Sequence, residues 1–311
     1  MELRNLGVSG PRVSAIGLGT NNFGMRDDVD APAVVGAALD LGINFFDSAE
    51  AYGKGKSEEV LGRALGARRH EAIIATKWGG TINVPPGTGA RDYVLNACET
   101  SLRRLGTDYI DLYQFHAPDP SIPIEETLLA CGDLVRQGKV RHLGLSNFPA
   151  WRIAQAQETA RRLGLAPLVS TQEHYSLLRR DIVEGERLDA IREYELGLLP
   201  FFPLASGLLS GKYRRGEDFP EGSRFAVLRQ LGTSFTTDRN WRLAERLTEF
   251  AEARGHAILE LAFAWLLARP AVASVIAGAT RVEQVRANAA AAGWALSAED
   301  LAGIDAITAG E

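Results

Sequence analysis

Short apolar or β-branched runs alternate with longer segments of helical spacing along the whole of this chain. That alternation is typical of repeated strand–helix units around a parallel sheet. The strand candidates lie at residues 13–19, 44–47, 72–77, 109–116, 140–146, 168–172, 198–202 and 274–277. Eight such units in 311 residues predict an α/β protein that forms a closed (β/α)8 barrel, the TIM barrel.

Glycines mark the ends of the predicted helices. Residues 92–105 place apolar side chains at helical spacing, and Gly106 follows them, where a left-handed cap residue is expected. Other glycines hold the same position after helical segments: Gly42, Gly66, Gly138 and Gly164. Their repetition indicates that one architectural unit recurs along the chain.

No linker or change of composition divides the chain, so we expect a single domain over residues 1–311. The rival fold is an open, doubly wound sheet, whose dinucleotide form needs GxGxxG directly after the first strand. Gly17, Gly19 and Gly24 have a different spacing, which favours the barrel.

Two segments outside the repeated units complete the predicted fold. Residues 2–6 and 12–15 predict an N-terminal β-hairpin across the bottom of the barrel. Residues 211–238, after the seventh strand, predict a long surface loop, and irregular loops of that length usually have a function.

Composition excludes several classes of protein. The 34 Lys and Arg residues and 39 Asp and Glu residues give a net charge of −5 and are interspersed, which argues against a nucleic-acid partner. Cys98 and Cys131 stand without a CxxC pattern or a nearby His, so we predict neither a disulfide framework nor a metal site.

Residues 196–210 are interrupted by Pro200 and Pro203, and no membrane span or secretory signal is predicted. A cytoplasmic protein is therefore expected, and the sequence leaves open whether it is a monomer or a homo-oligomer.

Titratable side chains end three neighbouring strands of the predicted barrel. Active sites of such barrels lie at the carboxyl ends of the strands, where this chain has Asp47, Lys77 and His116. Tyr52 follows Asp47 by five residues. Taken singly, each residue has an ordinary interpretation, such as a helix cap or a loop aromatic. Taken together, they indicate a site, because a lysine delivered into the barrel mouth needs a carboxylate nearby, and Asp47 is on the adjacent strand.

This set of residues suits the reduction of a carbonyl group. A cation beside a phenol stabilises the phenolate, so we expect Lys77 to lower the pKa of Tyr52 from about 10 and make it a general acid. His116 can hydrogen-bond a substrate oxygen and set its orientation. The alkoxide that develops during reduction would take the proton of Tyr52.

Segments that contain these residues resemble the aldo-keto reductase family, in the family's order: GLGTNNFG, GINFFDSAEAYGKGKSEEVLGRAL, IIATKWGG, SLRRLGTDYIDLYQFHAPD, VRHLGLSNF, QEHYSLLRR, FPLASGLLSGKY and VIAGATRVEQVRANAAAAGWALSAEDLAGI. The resemblance covers about residues 3–307 and is strongest to the branch of bacterial general-purpose reductases and potassium-channel β subunits. It implies a (β/α)8 barrel that binds NADPH without a Rossmann domain, and a catalytic tetrad of Asp47, Tyr52, Lys77 and His116.

A cofactor is needed because no side chain supplies hydride. The resemblance implies NADPH or NADP+, with NADH less favoured. It places the nicotinamide near Ser146, Asn147, Gln172 and Phe201, the pyrophosphate near Pro203, Leu204, Ser206 and Gly207, and a belt over the cofactor at Lys212 and Arg224. Further cofactor contacts are expected from Thr20, Asn21 and Asp47.

The eighth unit predicts a phosphate site at the start of a helix. Helix N-termini attract anions, and small residues here precede a cationic one. The candidates for the adenosine end are Gly278, Thr280, Arg281, Gln284 and Asn288. Of these, Thr280, Arg281 and Gln284 are expected at the 2′-phosphate.

The substrate is expected to be a small carbonyl compound. Phe23, Trp78 and Phe148 stand beside motif residues and predict an aromatic rim that, with Tyr52 and His116, contacts substrate.

Two other functions stay open. A cofactor-binding, redox-sensing regulatory subunit with little turnover is suggested by the channel-associated branch, although that branch carries Asn where this chain has His116. A cofactor-independent isomerase or aldolase could use Lys77 as a Schiff base, but it would leave Tyr52 and the cofactor motifs without a use.

Overall fold

The structure, a computed structural model, describes residues 1–26, 28–80 and 85–309. An antiparallel hairpin of β1 (Leu3–Asn5) and β2 (Arg12–Ser14) precedes an eight-stranded parallel sheet. The strands of that sheet are β3 (Ile16–Gly19), β4 (Phe45–Asp47), β5 (Ile73–Trp78), β6 (Ile110–Phe115), β7 (Val140–Ser146), β8 (Ser170–His174), β9 (Gly197–Phe201) and β10 (Val275–Gly278).

The sheet curls into a barrel. Its strands follow the order β10-β3-β4-β5-β6-β7-β8-β9. The two ends meet where the N–H of Leu198 donates to the carbonyl of Ala271 at 2.8 Å and the N–H of Ala273 donates to the carbonyl of Leu198 at 2.9 Å. This confirms the predicted (β/α)8 barrel.

Helices connect the strands around the outside of the barrel. They are α1 (Ala31–Asp40), α2 (Lys56–Leu65), α3 (Arg91–Leu105), α4 (Ile124–Arg136), α5 (Ala150–Arg162), α6 (Glu186–Glu193), α7 (Arg224–Val227), α8 (Arg229–Phe235), α9 (Asp238–Glu252), α10 (Ile258–Leu267), α11 (Val282–Ala290) and α12 (Ala298–Thr308). Short 3₁₀ turns lie at Tyr52–Gly55, Gly66–Glu71, Ala205–Ser210 and Ala291–Gly293. Within the described residues, none of the helices combines the length and the apolar character that crossing a membrane requires.

The interior of the barrel is layered. Successive strand residues point to opposite faces, so alternate side chains enter the barrel. Phe45, Ala75 and Leu112 belong to one apolar cluster inside it, which Leu6 and Val13 of the hairpin region complete from below. The hairpin therefore covers the bottom of the barrel, as predicted, and the polar ends of the strands are left at the top.

Most strand boundaries agree with the sequence prediction to within one or two residues, but two segments differ from it more. The first predicted strand, residues 13–19, divides near Ala15, because β2 pairs with β1 while β3 pairs with β10 and β4. The predicted irregular segment 211–238 contains helices α7 and α8. Ser223 caps α7, since its Oγ accepts from the N–H of Ala226 at 3.4 Å, and this local bond starts a helix inside the loop.

Gly106 adopts the left-handed conformation that its position after α3 predicts, with φ 62°. The other four predicted cap glycines also have positive φ values.

Close packing of α2 against α3 gives a test of the fold. A Cβ on Gly62 of α2 would collide with the backbone carbonyl of Leu105, which cannot move away cheaply. We expect Gly62→Ala to lower the free energy of unfolding by about 2 kcal/mol, measured by urea titration. The matched control is Gly36→Ala in α1, where the added methyl group meets no atom outside its own turn of the helix within 4 Å. Alanine there should stabilise by up to about 1 kcal/mol, and equal effects of both variants would contradict the packing described here.

Candidate active site

A buried ion pair lies at the top of the barrel interior. Lys77, at the end of β5, is fully buried, and its Nζ donates to Asp47 Oδ1 at 2.8 Å and Oδ2 at 2.7 Å. Nζ also donates to the backbone carbonyl of Ser48 at 2.7 Å. Burial lowers the pKa of Lys77, but the interactions with Asp47 and Tyr52 together raise that pKa above its ordinary value. The lysine is therefore an ammonium group, as the sequence predicts for a paired cation in the barrel mouth.

Amide side chains from two other strands of the barrel satisfy the carboxylate of Asp47. Gln172 Nε2 of β8 donates to Asp47 Oδ1 at 2.9 Å, and Gln114 Nε2 of β6 donates to the same oxygen at 3.4 Å. A buried ion pair is stable only when its remaining hydrogen-bonding capacity is met. Strands from both sides of the barrel thus hold the pair in place.

Tyr52 borders this pair. It begins the 3₁₀ turn after β4, in which Gly53 and Lys54 both have φ 56°. Lys77 Nζ lies 5.1 Å from the centroid of the Tyr52 ring, and the ring of His116 meets it edge-on at 5.8 Å between centroids. The four predicted tetrad residues are therefore brought together.

The pKa of Tyr52 differs from the sequence prediction. Burial raises it, the charge of Lys77 lowers it, and the charge of Asp47 raises it again, so that the pKa lies above its ordinary value. The prediction that Lys77 brings it down toward neutrality is wrong for this structure, because desolvation is the largest effect and Asp47 offsets the cation. Tyr52 is a protonated phenol at neutral pH.

His116 is a neutral imidazole. Burial, together with the nearby charge of Lys77, lowers its pKa well below the ordinary value. Its backbone carbonyl accepts from Asn147 Nδ2 at 3.0 Å, which ties the end of β6 to the end of β7. A neutral imidazole can donate a hydrogen bond to a substrate oxygen without carrying charge into the site.

One cavity of about 1000 Å³ opens above these residues. Asp47, Tyr52 and His116 line it at the barrel end. Most of the predicted cofactor residues line it too: Asn21, Asn147, Phe201, Pro203, Leu204, Ser206, Gly207, Lys212, Arg224, Gly278, Thr280, Arg281, Gln284 and Asn288. Among the described residues, no cluster of three or more His, Cys, Asp or Glu side chains could hold a metal ion.

Three predicted cofactor residues lie beneath the cavity surface. The hydroxyl of Thr20 donates to the carbonyl of Asp47 at 3.0 Å, and Gln172 bonds Asp47 as described. Ser146 Oγ donates to the carbonyl of Gln172 at 2.9 Å and accepts from Asn147 Nδ2 at 3.0 Å. All three therefore support residues that face the cavity, and their contact with a cofactor stays a prediction.

The predicted aromatic rim is not formed by Phe23, Trp78 and Phe148. All three are buried in the core outside the barrel. Trp78 follows Lys77 on β5, and because adjacent strand residues face opposite ways, it turns toward the helices and stacks on Tyr113 and Phe115. The structure therefore gives no support to their predicted contact with substrate.

Other aromatic side chains face the cavity instead. His174, at the end of β8, stacks on Phe201 at 5.4 Å between ring centroids and meets Phe202 edge-on at 5.4 Å. His174 is not among the predicted site residues, because its strand was predicted over residues 168–172 and the structure extends it to His174. Arg26 and Arg179 also line the cavity and lie in loops that carry no comparable signal.

The cavity fits a dinucleotide phosphate. Two buried polar atoms at its edge, Ser206 Oγ and Arg224 Nε, have no hydrogen-bond partner in the described part of the chain. Ala205, Ser206 and Gly207 all have positive φ, and such strained backbone clusters at ligand sites. Burial lowers the pKa of Arg224, so an anion beside this guanidinium would be stabilised strongly.

The adenosine end of the predicted site is also preorganised. Gln284 Oε1 accepts from the N–H of Thr280 at 2.8 Å and from its hydroxyl at 3.2 Å. Arg281 is exposed at the start of α11, where the helix dipole favours an anion. Charge and backbone direction at this end of the cavity therefore suit a phosphate group.

Comparison with known proteins agrees with this geometry. Residues 15–309 match the model of the Aldo/keto reductase family. A probable voltage-gated potassium channel subunit beta from Oryza sativa subsp. japonica is 38% identical over 297 residues, which cover 93% of this chain and 90% of the relative. L-glyceraldehyde 3-phosphate reductase from Escherichia coli (strain K12) is 36% identical over 322 residues, which cover 98% and 92% respectively.

The buried pair makes a prediction about stability. Asp47→Asn leaves the Lys77 ammonium buried without its carboxylate, and we expect it to lower the free energy of unfolding by about 3 kcal/mol at pH 7. Without Asp47 the folded state disfavours the charged lysine, so its folded pKa drops below the unfolded one and the loss shrinks as pH rises.

Urea titration at pH 7 and at pH 9 measures both effects. The control is Asp40→Asn, which removes an exposed partner of Arg68 and should change stability little. A loss in Asp47→Asn no greater than in this control, or one independent of pH, would contradict the prediction.

Proposed function

This chain belongs to the aldo/keto reductase family, and we propose that it reduces aldehydes or ketones to alcohols with NADPH as the cofactor. Members of this family are oxidoreductases. The observation that carries the proposal is the buried Asp47–Lys77 pair beside Tyr52 and His116 at the floor of one large cavity. That arrangement offers a proton donor, a neutral hydrogen-bond donor and a fixed cation at the place where a carbonyl oxygen would gain charge.

The side chains divide the work of protonating the substrate oxygen. When bound, NADPH supplies the hydride that adds to the carbonyl carbon. Tyr52 then donates its phenolic proton to the oxygen, and the raised pKa keeps that proton available at rest. Lys77 stabilises the phenolate that forms, while Asp47 holds the ammonium group in position. His116 donates a hydrogen bond to the same oxygen and so orients the carbonyl group.

Cationic side chains along the cavity would hold the cofactor phosphates. Lys212 and Arg224 lie next to the turn at Ser206 and Gly207, which suits the pyrophosphate. Arg281 and Thr280 at the start of α11 suit the 2′-phosphate that distinguishes NADPH from NADH. NADH lacks the group that these two residues would bind, so it should bind less tightly.

The substrate class is read from the cavity wall and from one relative. His174, Phe201 and Phe202 give one wall an aromatic character, which suits a carbonyl compound with an apolar body. The relative named L-glyceraldehyde 3-phosphate reductase makes a short phosphorylated aldehyde a second substrate to test. A cytoplasmic location stays a prediction from the sequence.

A regulatory role is the second candidate, because a relative named as a potassium channel subunit β is 38% identical to this chain. In that role the chain would bind NADP(H) tightly, turn over little carbonyl substrate and retain a protein partner. The intact tetrad with a neutral His116 favours turnover instead.

Replacement of Tyr52 tests the proposed reaction. Tyr52→Phe removes only the acidic hydroxyl, and we expect kcat for reduction of 4-nitrobenzaldehyde with NADPH to fall by about 10²–10⁴-fold. Binding of NADPH should change less than twofold. For the wild type, kcat/KM should stay flat from about pH 6 to about pH 9, since the pKa of Tyr52 is raised above 10 and that of His116 is lowered below 6.5. It should fall only at higher pH, where the phenol loses its proton.

Steady-state kinetics over this pH range provide the measurement, with Tyr194→Phe on the outer surface as the control. Full activity of Tyr52→Phe would exclude the phenol as the acid. Tight NADPH binding by a wild type that reduces none of a broad carbonyl panel would instead favour the regulatory role.

Replacement of Arg281 tests the preference for NADPH. We expect Arg281→Ala to raise the Kd of NADPH about tenfold, the cost of one charge-assisted hydrogen bond, and to leave the Kd of NADH nearly unchanged. Fluorescence titration of both nucleotides gives the two constants. Arg286→Ala, on an exposed part of the same helix, is the matched control. Equal losses for NADPH and NADH in Arg281→Ala would show that this side chain does not bind the 2′-phosphate.

A further inference from the structure

Glu50 ties together the two segments that carry Tyr52 and Lys77. Its Oε1 accepts from the backbone N–H of Gly79 at 2.7 Å and from the hydroxyl of Tyr93 at 2.8 Å. Gly79 follows Lys77 by two residues, Glu50 precedes Tyr52 by two residues, and Tyr93 lies in the first turn of α3. One carboxylate oxygen therefore joins three segments of the chain.

This bond belongs to a set that runs between residues 48–50 and 77–79. The N–H of Glu50 donates to the carbonyl of Lys77 at 3.0 Å, and Lys77 Nζ donates to the carbonyl of Ser48 at 2.7 Å. The Glu50 carboxylate adds the contact farthest up the barrel, beyond the last residues of β4 and β5.

The turn that begins at Tyr52 has an unusual backbone conformation. Gly53 and Lys54 both have φ 56°, a conformation that costs a residue with a side chain about 1 kcal/mol. Gly79, on the other side of the contact, has φ 92°. Two turns that are irregular on their own are thus fixed relative to each other by Glu50.

The phenol of Tyr93 is a lasting hydrogen-bond donor to Glu50. Glu50 is half-buried, and Tyr93 is 39% exposed. Burial and the hydrogen bond to the Glu50 carboxylate raise the pKa of Tyr93 to about 12. Tyr93 therefore stays a hydrogen-bond donor over the whole working pH range.

We propose that Glu50 is a positioning residue, which holds the Tyr52 turn against the strand that carries Lys77. This inference rests on the proposed function. Glu50 does not line the cavity and acts only through Tyr52. Without its carboxylate, the Tyr52 phenol loses its alignment with the ammonium group of Lys77, and proton donation slows while cofactor binding is unaffected.

Kinetics of four variants test this role. Glu50→Ala removes both hydrogen bonds, and we expect kcat to fall about 100-fold, the size expected for a displacement of about 1 Å, with the KM of NADPH changed less than twofold. Glu50→Gln keeps an acceptor oxygen and should regain most of kcat. Tyr93→Phe removes one bond and should have an intermediate effect. Glu59→Ala, which breaks an exposed contact with Lys56, is the matched control and should behave as the wild type.

The kinetics of these variants can support or overturn the positioning role of Glu50. Equal losses in Glu50→Gln and Glu50→Ala, or equal changes of kcat and of the KM of NADPH, would overturn the positioning role. Tyr93→Phe keeps the proposal testable if Glu50→Ala does not fold, because it removes a single hydroxyl group.

A second measurement does not depend on turnover. The chain has 7 tyrosines, so incorporation of 3-fluorotyrosine gives a ¹⁹F spectrum in which Tyr52→Phe identifies the Tyr52 resonance. We expect that resonance to shift in Glu50→Ala and in Tyr93→Phe and to stay in place in Glu59→Ala. An unmoved resonance in Glu50→Ala overturns the inference. A wild type without carbonyl turnover but with the expected shifts would reject the proposed function and leave the positioning role intact.

Discussion

The cost of burying the Lys77 ammonium group governs the top of the barrel. A cation without exposure to solvent persists only with a carboxylate and with further hydrogen bonds, and Asp47 and the carbonyl of Ser48 provide them. Asp47 in turn needs donors, which Gln172 and Gln114 supply from two other strands. Side chains from four strands hold this one ion pair, so the site assembles only when the barrel closes. The apolar layer below, sealed by Leu6, keeps water from reaching the pair from the other end.

Side chains alternate between the two faces of a strand, and this alternation explains which site residues the sequence predicted correctly and which it did not. Because Lys77 ends a buried strand, its side chain could be placed in the barrel, and the same argument located Asp47 and His116. The same alternation turns Trp78, the next residue after Lys77, away from the barrel interior. A position next to a motif residue therefore did not predict which side chains line the cavity. His174 was missed because the sequence placed the end of its strand at Gln172, two residues before the end that the structure shows. The helices inside residues 211–238 depend on a local cap at Ser223 and on packing between aromatic side chains. The spacing of apolar residues in the sequence predicts neither of these interactions.

Net charge and local charge differ in this molecule. The chain carries −5 overall, yet the cavity gathers Arg26, Arg179, Lys212, Arg224 and Arg281. Two of these have carboxylate neighbours, Arg26 in Asp28 and Arg179 in Asp181, so the net positive charge of the cavity is smaller than the count of cations. An acidic body with a basic cleft focuses the field at the cleft, and an anionic dinucleotide is drawn there from solution. Composition alone cannot reveal this, because the residues come from five separate loops and helix ends.

The direction of the Tyr52 pKa shift changes the interpretation of the tetrad. If the cation lowered that pKa, Tyr52 could lose its phenolic proton before the substrate binds. Because burial keeps the phenol protonated, Tyr52 still has this proton when the substrate binds. Asp47 contributes to this, since its charge offsets that of Lys77 at the ring. In the proposed reaction the cation would act once the proton has left, because the phenolate then bears a full charge and Lys77 Nζ lies 5.1 Å from the centroid of the Tyr52 ring. In the proposed reaction the pair would therefore act on the charge that develops on Tyr52, and the resting balance of the two charges would keep Tyr52 protonated at neutral pH.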